Sequence, residues 1–220
     1  MEPIEFVRFA ARRDRTLYVA KRFAQYFTER VLDVGCFEAP LRALLKPGSY
    51  VGVDMAGAPD VQLNLDSAEK LPFADGEFAT VISIETLEHL ENLHRMFGEL
   101  ARVSGKHLIV SLPNCWRDAR RPVERGKGDF AHYGLPSEKP LDRHRWFFSY
   151  SQARDFLNAM AKKHQLTVTE MFGTEQPRNV LIRALRHIRY SREAYANRYV
   201  QTIWVVLAKE NPSRVPPPIV

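Results

Sequence analysis

Val31-Leu32-Asp33-Val34-Gly35 is the stretch on which the fold turns. A short, mostly apolar run that ends on a glycine has the pattern of a buried strand of a parallel sheet, closed by a turn. Downstream the unit repeats. A helix is expected from about Pro40 to Leu45, with proline in its first turn, and Lys46-Pro47-Gly48-Ser49 stops it. Tyr50-Val51-Gly52-Val53-Asp54 reads as a second strand, and Val61-Gln62-Leu63-Asn64-Leu65, followed by Asp66, as a third. A turn-rich bridge through Leu71-Pro72-Phe73 and Asp75-Gly76-Glu77 leads to a fourth strand, Phe78 to Ile84.

Thr86 to Val103 then presents Leu87, Leu90, Leu93, Phe97 and Leu100 on one side of an amphipathic helix ended by Gly105. His107 to Leu112 is a fifth strand, closed by Pro113. Upstream, residues 5–30 read as helix, because Phe6, Phe9, Leu17, Val19, Phe23, Tyr26 and Phe27 recur at roughly helical spacing among arginines and lysines. Strands alternating with helices at these intervals give βαβ units and a mostly parallel, doubly wound α/β sheet.

The second half is less regular. Residues 115–145 are rich in Arg, Lys, Gly and Pro and show little periodicity, as expected of a long loop that is either functional or disordered. Ser151 to Lys163 reads as a helix capped by Ser151. Leu166 to Phe172 is a sixth strand, Val180 to Arg198 a strongly basic helix, and Thr202 to Ala208 a seventh strand. Four prolines in Asn211–Val220 predict a loose tail. The organisation expected is one domain over residues 1–210, with a ligand-binding half near 30–113, a cover segment near 114–150 and the tail.

Of the 220 residues, 45% are apolar and 26% charged, an ordinary globular balance. No apolar run reaches the roughly 20 residues that cross a bilayer, and Met1–Arg15 has no signal-peptide core; the expected location is cytoplasmic. The two cysteines, Cys36 and Cys115, stand without a second thiol or a histidine pair at metal spacing, so neither a disulfide framework nor a metal site is expected. The net charge of +6 admits nucleic acid, a membrane surface or an anionic substrate, and equally a merely soluble surface.

Ligands of doubly wound sheets bind at the carboxyl ends of the strands. Three such ends carry a glycine or an acid in series. Gly35 lets backbone approach a ligand, Asp54 can accept from both hydroxyls of a ribose, and Asp66 can accept from the exocyclic amine of adenine. Singly, such an acid is more often a turn or helix cap than a ligand; it is the series that points to a cofactor.

This series resembles the Rossmann-like (class I) methyltransferases that use S-adenosylmethionine (SAM), over roughly residues 30–113. The blocks that carry the likeness are Val31–Cys36, Gly52-Val53-Asp54, Leu65-Asp66-Ser67-Ala68-Glu69-Lys70-Leu71-Pro72-Phe73, Phe78–Ser83 and Leu87-Glu88-His89-Leu90. The resemblance implies a seven-stranded sheet with its last strand antiparallel. It further implies Asp33 and Gly35 near the methionine of SAM, Asp54 on the ribose, Asp66 on the adenine amine with Leu65 and Ser67 flanking it, and Glu85 facing methionine or substrate. One departure stands out: the family usually continues as Gly-x-Gly-x-Gly, and Phe37 and Ala39 occupy the later glycine places. The Gly-x-Gly-x-x-Gly that admits a dinucleotide pyrophosphate is absent too, which argues for SAM over a nicotinamide cofactor.

Methyl transfer needs alignment more than acid–base help, but an alcohol acceptor needs a base. His89, His132 and His144 are the candidates, and packing is the other reading of each. His132-Tyr133-Gly134-Leu135-Pro136 and Asp142-Arg143-His144-Arg145-Trp146-Phe147-Phe148 fall where the family builds its substrate cover. Arg143 and Arg145 can clamp a phosphate or carboxylate. Tyr133 or Trp146 can stack on a sugar or ring, or the aromatics can pin the loop to the core. The expected activity is methylation, at oxygen, of a small-molecule or glycan-linked acceptor. Two other readings stay open: a tRNA or rRNA methyltransferase, disfavoured because no RNA-binding module accompanies the charge, and a SAM-binding subunit without transfer activity. Arg183, Arg186, Arg189 and Arg192, every third residue, make the helix over 180–198 a solvated face or a contact with an anionic membrane. Oligomeric state is not legible.

Overall fold

A computed structural model describes residues 2–127, 132–138, 140 and 142–209. Eight strands, β1 (Ile4–Phe6), β2 (Val31–Val34), β3 (Tyr50–Asp54), β4 (Val61–Gln62), β5 (Phe78–Ile84), β6 (Ser104–Pro113), β7 (Leu166–Glu175) and β8 (Thr202–Lys209), form one sheet in the order β1-β7-β8-β6-β5-β2-β3-β4. β2 lies inside it, with Val31 opposite Tyr50 on one side and Thr80 on the other, both parallel. β8 alone runs antiparallel, with Val206 opposite Ile109 of β6 and Val205 opposite Met171 of β7. This is a Rossmann-like α/β fold with an antiparallel last strand.

Side chains alternate between the two faces, as the period of two requires. Leu32, Val34, Ile203, Val205 and Leu207 join one core, beneath helices α2 (Leu93–Val103) and α4 (Tyr150–Lys163). Val31, Ile82, Ile109, Trp204 and Val206 join the other, against Val19 and Phe23 at the end of helix α1 (Arg12–Arg22). Both faces are covered, which is why the central strands read as continuous apolar runs.

Several elements differ from expectation. The described residues form eight strands, not seven: Ile4–Phe6 leaves the predicted 5–30 helix to pair with β7, Ile4 opposite Gly173, and a 3-10 turn (Ala24–Tyr26) follows α1. The expected 86–103 helix is a 3-10 turn at Leu87–His89 and then α2, with Asn92 between Leu90 and the first helical residue. The predicted third strand shortens to Val61–Gln62. Within 115–145 a helix, α3 (Cys115–Glu124), was missed. Asn114 caps it, accepting from Arg117 N–H at 3.3 Å, and its amide donates to the carbonyls of Ala196, Asn197 and Val200. Only Cys115 and Ala119 of this helix are buried, and Pro122 stands inside it, so little in the local sequence marks it as helix. The cap of α4 is Ser149, in a capping box with Gln152, not Ser151. The basic 180–198 segment is two helices, α5 (Val180–Arg189) and α6 (Arg192–Tyr199), broken at the Ser191 cap. The tail expected over 211–220 lies outside the described residues. Among those described, no helix is long and apolar enough to cross a membrane.

Candidate functional site

The loops that leave β2, β3, β4 and β5 gather at the carboxyl edge of the sheet. Gly35 takes φ +89°, and a Cβ there would lie 2.1 Å from Thr86 Oγ1, so this glycine is required by the turn and by its neighbour across the sheet. Phe37 and Ala39, at the family's later glycine places, both hold the left-handed backbone that glycine favours (φ 49° each). The Phe37 ring turns to the surface beneath the Arg12 guanidinium, 4.9 Å from its centroid, and its N–H donates to Asp54 Oδ2 at 2.8 Å. The loop keeps the glycine path with a side chain directed outward.

Asp54 ends β3 half-buried and also accepts from Ala56 N–H at 3.1 Å. Asp33 is buried on β2, accepting from Tyr50 Oη at 2.8 Å; burial, with Asp54 nearby, raises its pKa to about 7. Leu65 is buried and Ser67 exposed on either side of Asp66. The Asp66 carboxylate accepts from Glu91 N–H at 2.8 Å and from the Arg145 guanidinium at 3.3 Å. Four lone-pair sites on a carboxylate leave room for a further donor.

Glu85, after β5, adopts φ 48° and is bound by the Arg15 guanidinium and by Thr202 Oγ1 (2.8 Å), which ties β5, α1 and β8 together. Three residues on, the 3-10 turn swings Glu88 inward. It is 1% exposed, and neither carboxylate oxygen has a hydrogen-bond partner among the described residues. Burial pushes its pKa up to about 8, against the pull of the Arg15 charge.

The three histidines come together over this turn. Ring centroids lie 4.6 Å apart for His89 and His144, 5.8 Å for His89 and His132, and 4.4 Å for His132 and His144, which stack. Asp142 bridges two of them: its Oδ1 lies 2.9 Å from His89 Nδ1 and its Oδ2 3.4 Å from His132 Nδ1. Burial lowers the pKa of His89, and burial together with the other two imidazoles drives His144 down to about 3, so His144 is neutral at pH 7. Tyr133 Oη sits 2.9 Å from His144 Nδ1 and donates to Trp146 O at 3.1 Å.

Trp146 acts as a pin, with Nε1 donating to Leu90 O at 2.7 Å and its ring packed on the core. Arg145 is engaged with Asp66, while Arg143 offers its carbonyl to His89 at 3.2 Å and keeps an exposed side chain. Glu88, Asp142 and Tyr50 were not singled out from sequence. Glu88 lay in plain view in the Leu-Glu-His motif, but only the break in the predicted helix reveals its burial.

A second concavity, of about 210 Å³, opens where α3, α5 and α6 meet the end of β7. Arg117, Arg120 and Arg121 of α3 line it, with Arg178, Arg186 and Arg198 opposite. Two of the arginines expected on a solvated face are half-buried instead: Arg183 covers the Phe6 ring (3.9 Å), and Arg186 covers the Tyr199 ring (4.1 Å) and pairs with buried Glu175 (3.6 Å). Arg189 and Arg192 are exposed, and so are Val180, Leu181, Leu185 and Ile188.

The methyltransferase-domain family (Methyltransf_11) matches residues 32–109. No curated protein sequence matches the chain. Among solved structures, a SAM-dependent methyltransferase from Archaeoglobus fulgidus superposes with a TM-score of 0.58 at 13% identity, over 90% of this chain and 95% of that one. The methyltransferase domain of a bacterial Hen1 (CtHen1-C) does so with 0.59 at 18%, over 90% and 97%. Magnesium protoporphyrin IX methyltransferase of Synechocystis PCC 6803, with bound S-adenosylhomocysteine (SAH), gives 0.52 at 14%, over 89% and 80%. At such identities the superpositions show a Rossmann-like fold, and the methyltransferase-domain match over residues 32–109 supports SAM-dependent methyl transfer as the chemistry.

Proposed function

We propose that the protein transfers the SAM methyl group to an oxygen of a small-molecule or glycan-linked acceptor that carries an anionic group. In this reading Asp54 takes the ribose hydroxyls and Asp66 the adenine amine. Gly35, Asp33 and Glu85 border the methionine end, and Leu65 and Ser67 flank the base. The observation that carries the oxygen acceptor is the imidazole cluster. A hydroxyl is a poor nucleophile until its proton is removed, and His132, exposed and held by Asp142, is the base. The arginine cleft supports the anionic group. Cys115, in the first turn of α3, lies 3.9 Å from His144, and Arg120 is five residues on, about 7.5 Å along the helix. The reaction is direct in-line attack on the methyl carbon, with SAH as the product.

The same cleft favours a second reading, in which its arginines hold the phosphates of an RNA. One experiment separates the two. SAH titration of the wild type should give micromolar binding, weakened about 10- to 100-fold by Asp54→Ala, since hydrogen bonds to a charged group contribute roughly 1.5–3 kcal/mol. Radiolabelled methyl transfer to hydroxylated, phosphate-bearing acceptors should then fall about 10²- to 10⁴-fold in kcat for His132→Ala, with SAH binding retained. Label entering RNA alone, with binding that drops steeply as salt rises, would replace the small-acceptor reading.

A further inference from the structure

We propose that Glu88, His89 and His144 form a binding site for one divalent first-row transition-metal ion. Its use in catalysis, though not the site itself, rests on the oxygen-acceptor reading above. One ligand atom from each of the three residues lies within 4.8 Å of the other two. Metal bonds of about 2.0–2.2 Å place ligand atoms roughly 3.4 Å apart, so the three side chains need only a small inward adjustment.

The strongest indication is Glu88. A carboxylate with both oxygens buried and unpartnered is disfavoured unless a positive charge offsets the loss of water. Arg15, whose charge acts on Glu88, makes its ion pair with Glu85 and no hydrogen bond with Glu88. A metal ion would supply the missing charge.

The imidazoles are presented correctly for this. Asp142 and the Arg143 carbonyl hold His89 Nδ1, at 2.9 and 3.2 Å, and His89 Nε2 faces Glu88 Oε1 at 3.8 Å. A carboxylate behind a histidine is the usual second layer of a metal site, fixing the tautomer and ring orientation. His144 repeats the arrangement. The Tyr133 hydroxyl lies 2.9 Å from His144 Nδ1 and 3.1 Å from Trp146 O; in the tautomer in which His144 Nδ1–H donates to it, Nε2 carries the lone pair for the metal. Two imidazole nitrogens and one carboxylate suit zinc and its neighbours rather than magnesium or calcium, which prefer oxygen throughout. Three protein ligands also leave a coordination position open, as catalytic sites do.

An acceptor hydroxyl in that position would have a lowered pKa. Its proton passes to His132, its oxygen attacks the SAM methyl carbon, and the electrons of the breaking C–S bond return to sulfur. The sulfonium becomes neutral SAH, and His132 releases its proton to water.

The test uses chelator-stripped protein titrated with Co²⁺, read by its visible absorption, and with Zn²⁺ in competition. SAH titration and thermal melting run on the same samples. One equivalent of Co²⁺ should bind, displaceable by Zn²⁺. Glu88→Gln and His144→Asn should weaken it at least tenfold, and Asp142→Asn, an exposed change that leaves folding intact, by about 10- to 100-fold. All three variants should keep SAH binding. Wild-type protein that melts cooperatively and binds SAH but neither metal overturns the site alone, with Glu88 then a protonated buried acid. Metal binding equally tight in all three variants overturns it as well. Metal bound as expected by protein that transfers no methyl to any hydroxyl would sustain the site and overturn its catalytic use together with the oxygen-acceptor reading.

Discussion

Replacing Gly35 by alanine separates two reasons for a glycine after the first core strand. If it serves chiefly to let the cofactor approach, Gly35→Ala should leave the ligand-free protein as stable as the wild type and weaken SAH binding. The geometry argues for a cost in the ligand-free fold. Gly35 holds φ +89°, and the added Cβ would stand 2.1 Å from Thr86 Oγ1 and 2.2 Å from Thr86 Cγ2. The left-handed backbone costs a non-glycine residue about 1–2 kcal/mol, and a methyl forced into a filled site about 1–3 kcal/mol more. Together these give about 2–5 kcal/mol. At roughly 2–4 °C per kcal/mol for a chain of this size, Tm should fall by about 4–20 °C. Calorimetry of the ligand-free protein reads this directly. Thr86→Ala in the same chain removes the two nearest atoms but leaves Cβ at 2.7 Å, so it should restore part of the loss and no more. A Gly35→Ala melt identical to the wild type, with SAH binding lost, would refute the packing argument.

Two further outcomes follow from single features. The folded-state pKa of Asp33 is raised from 3.8 to about 7 by burial. The unfolded chain therefore gives up this proton first, and the group costs the wild type stability as pH climbs from about 4 through 7. Asp33→Asn keeps an acceptor for Tyr50 and cannot ionise. It should raise Tm at pH 8 and change it little at pH 4.5, with about 4 kcal/mol as the upper limit of the effect; an equal shift at both values would refute the assignment. The second concerns α5, whose Leu181, Leu185 and Ile188 are 72%, 66% and 84% exposed, beside a basic surface. We propose peripheral contact with an anionic membrane through this helix. In sedimentation with phosphatidylserine vesicles, Leu185→Asp should cut binding about tenfold or more, since burying one such side chain contributes roughly 1.5–3 kcal/mol. Vesicle binding that the change leaves intact would rule α5 out.

What the sequence alone determined is the ligand edge of the sheet. Gly35, Asp54 and Asp66 each follow a short apolar or alternating run, and a strand that is buried on both faces and ends in a turn is set by neighbours within a few residues. Pattern and spacing therefore sufficed for the α/β class, the strand alternation and the placing of Gly35, Asp54 and Asp66 at the carboxyl edge of the sheet. Whatever depended on distant partners was decided only by the tertiary structure. β1 exists because β7 offers Ile4–Phe6 an edge to pair with, and α3 because the Asn114 side chain reaches the end of α6. Arg183 and Arg186 of α5 turn inward because Phe6, Tyr199 and Glu175 receive them, whereas Arg189 stays exposed as the charge periodicity suggests. At the site, His132 and His144 belong to a segment without periodicity, and Glu88 to a helix pattern that breaks at residue 90. Their meeting, and the burial of the Glu88 carboxylate, are properties of packing between segments, which no local spacing encodes.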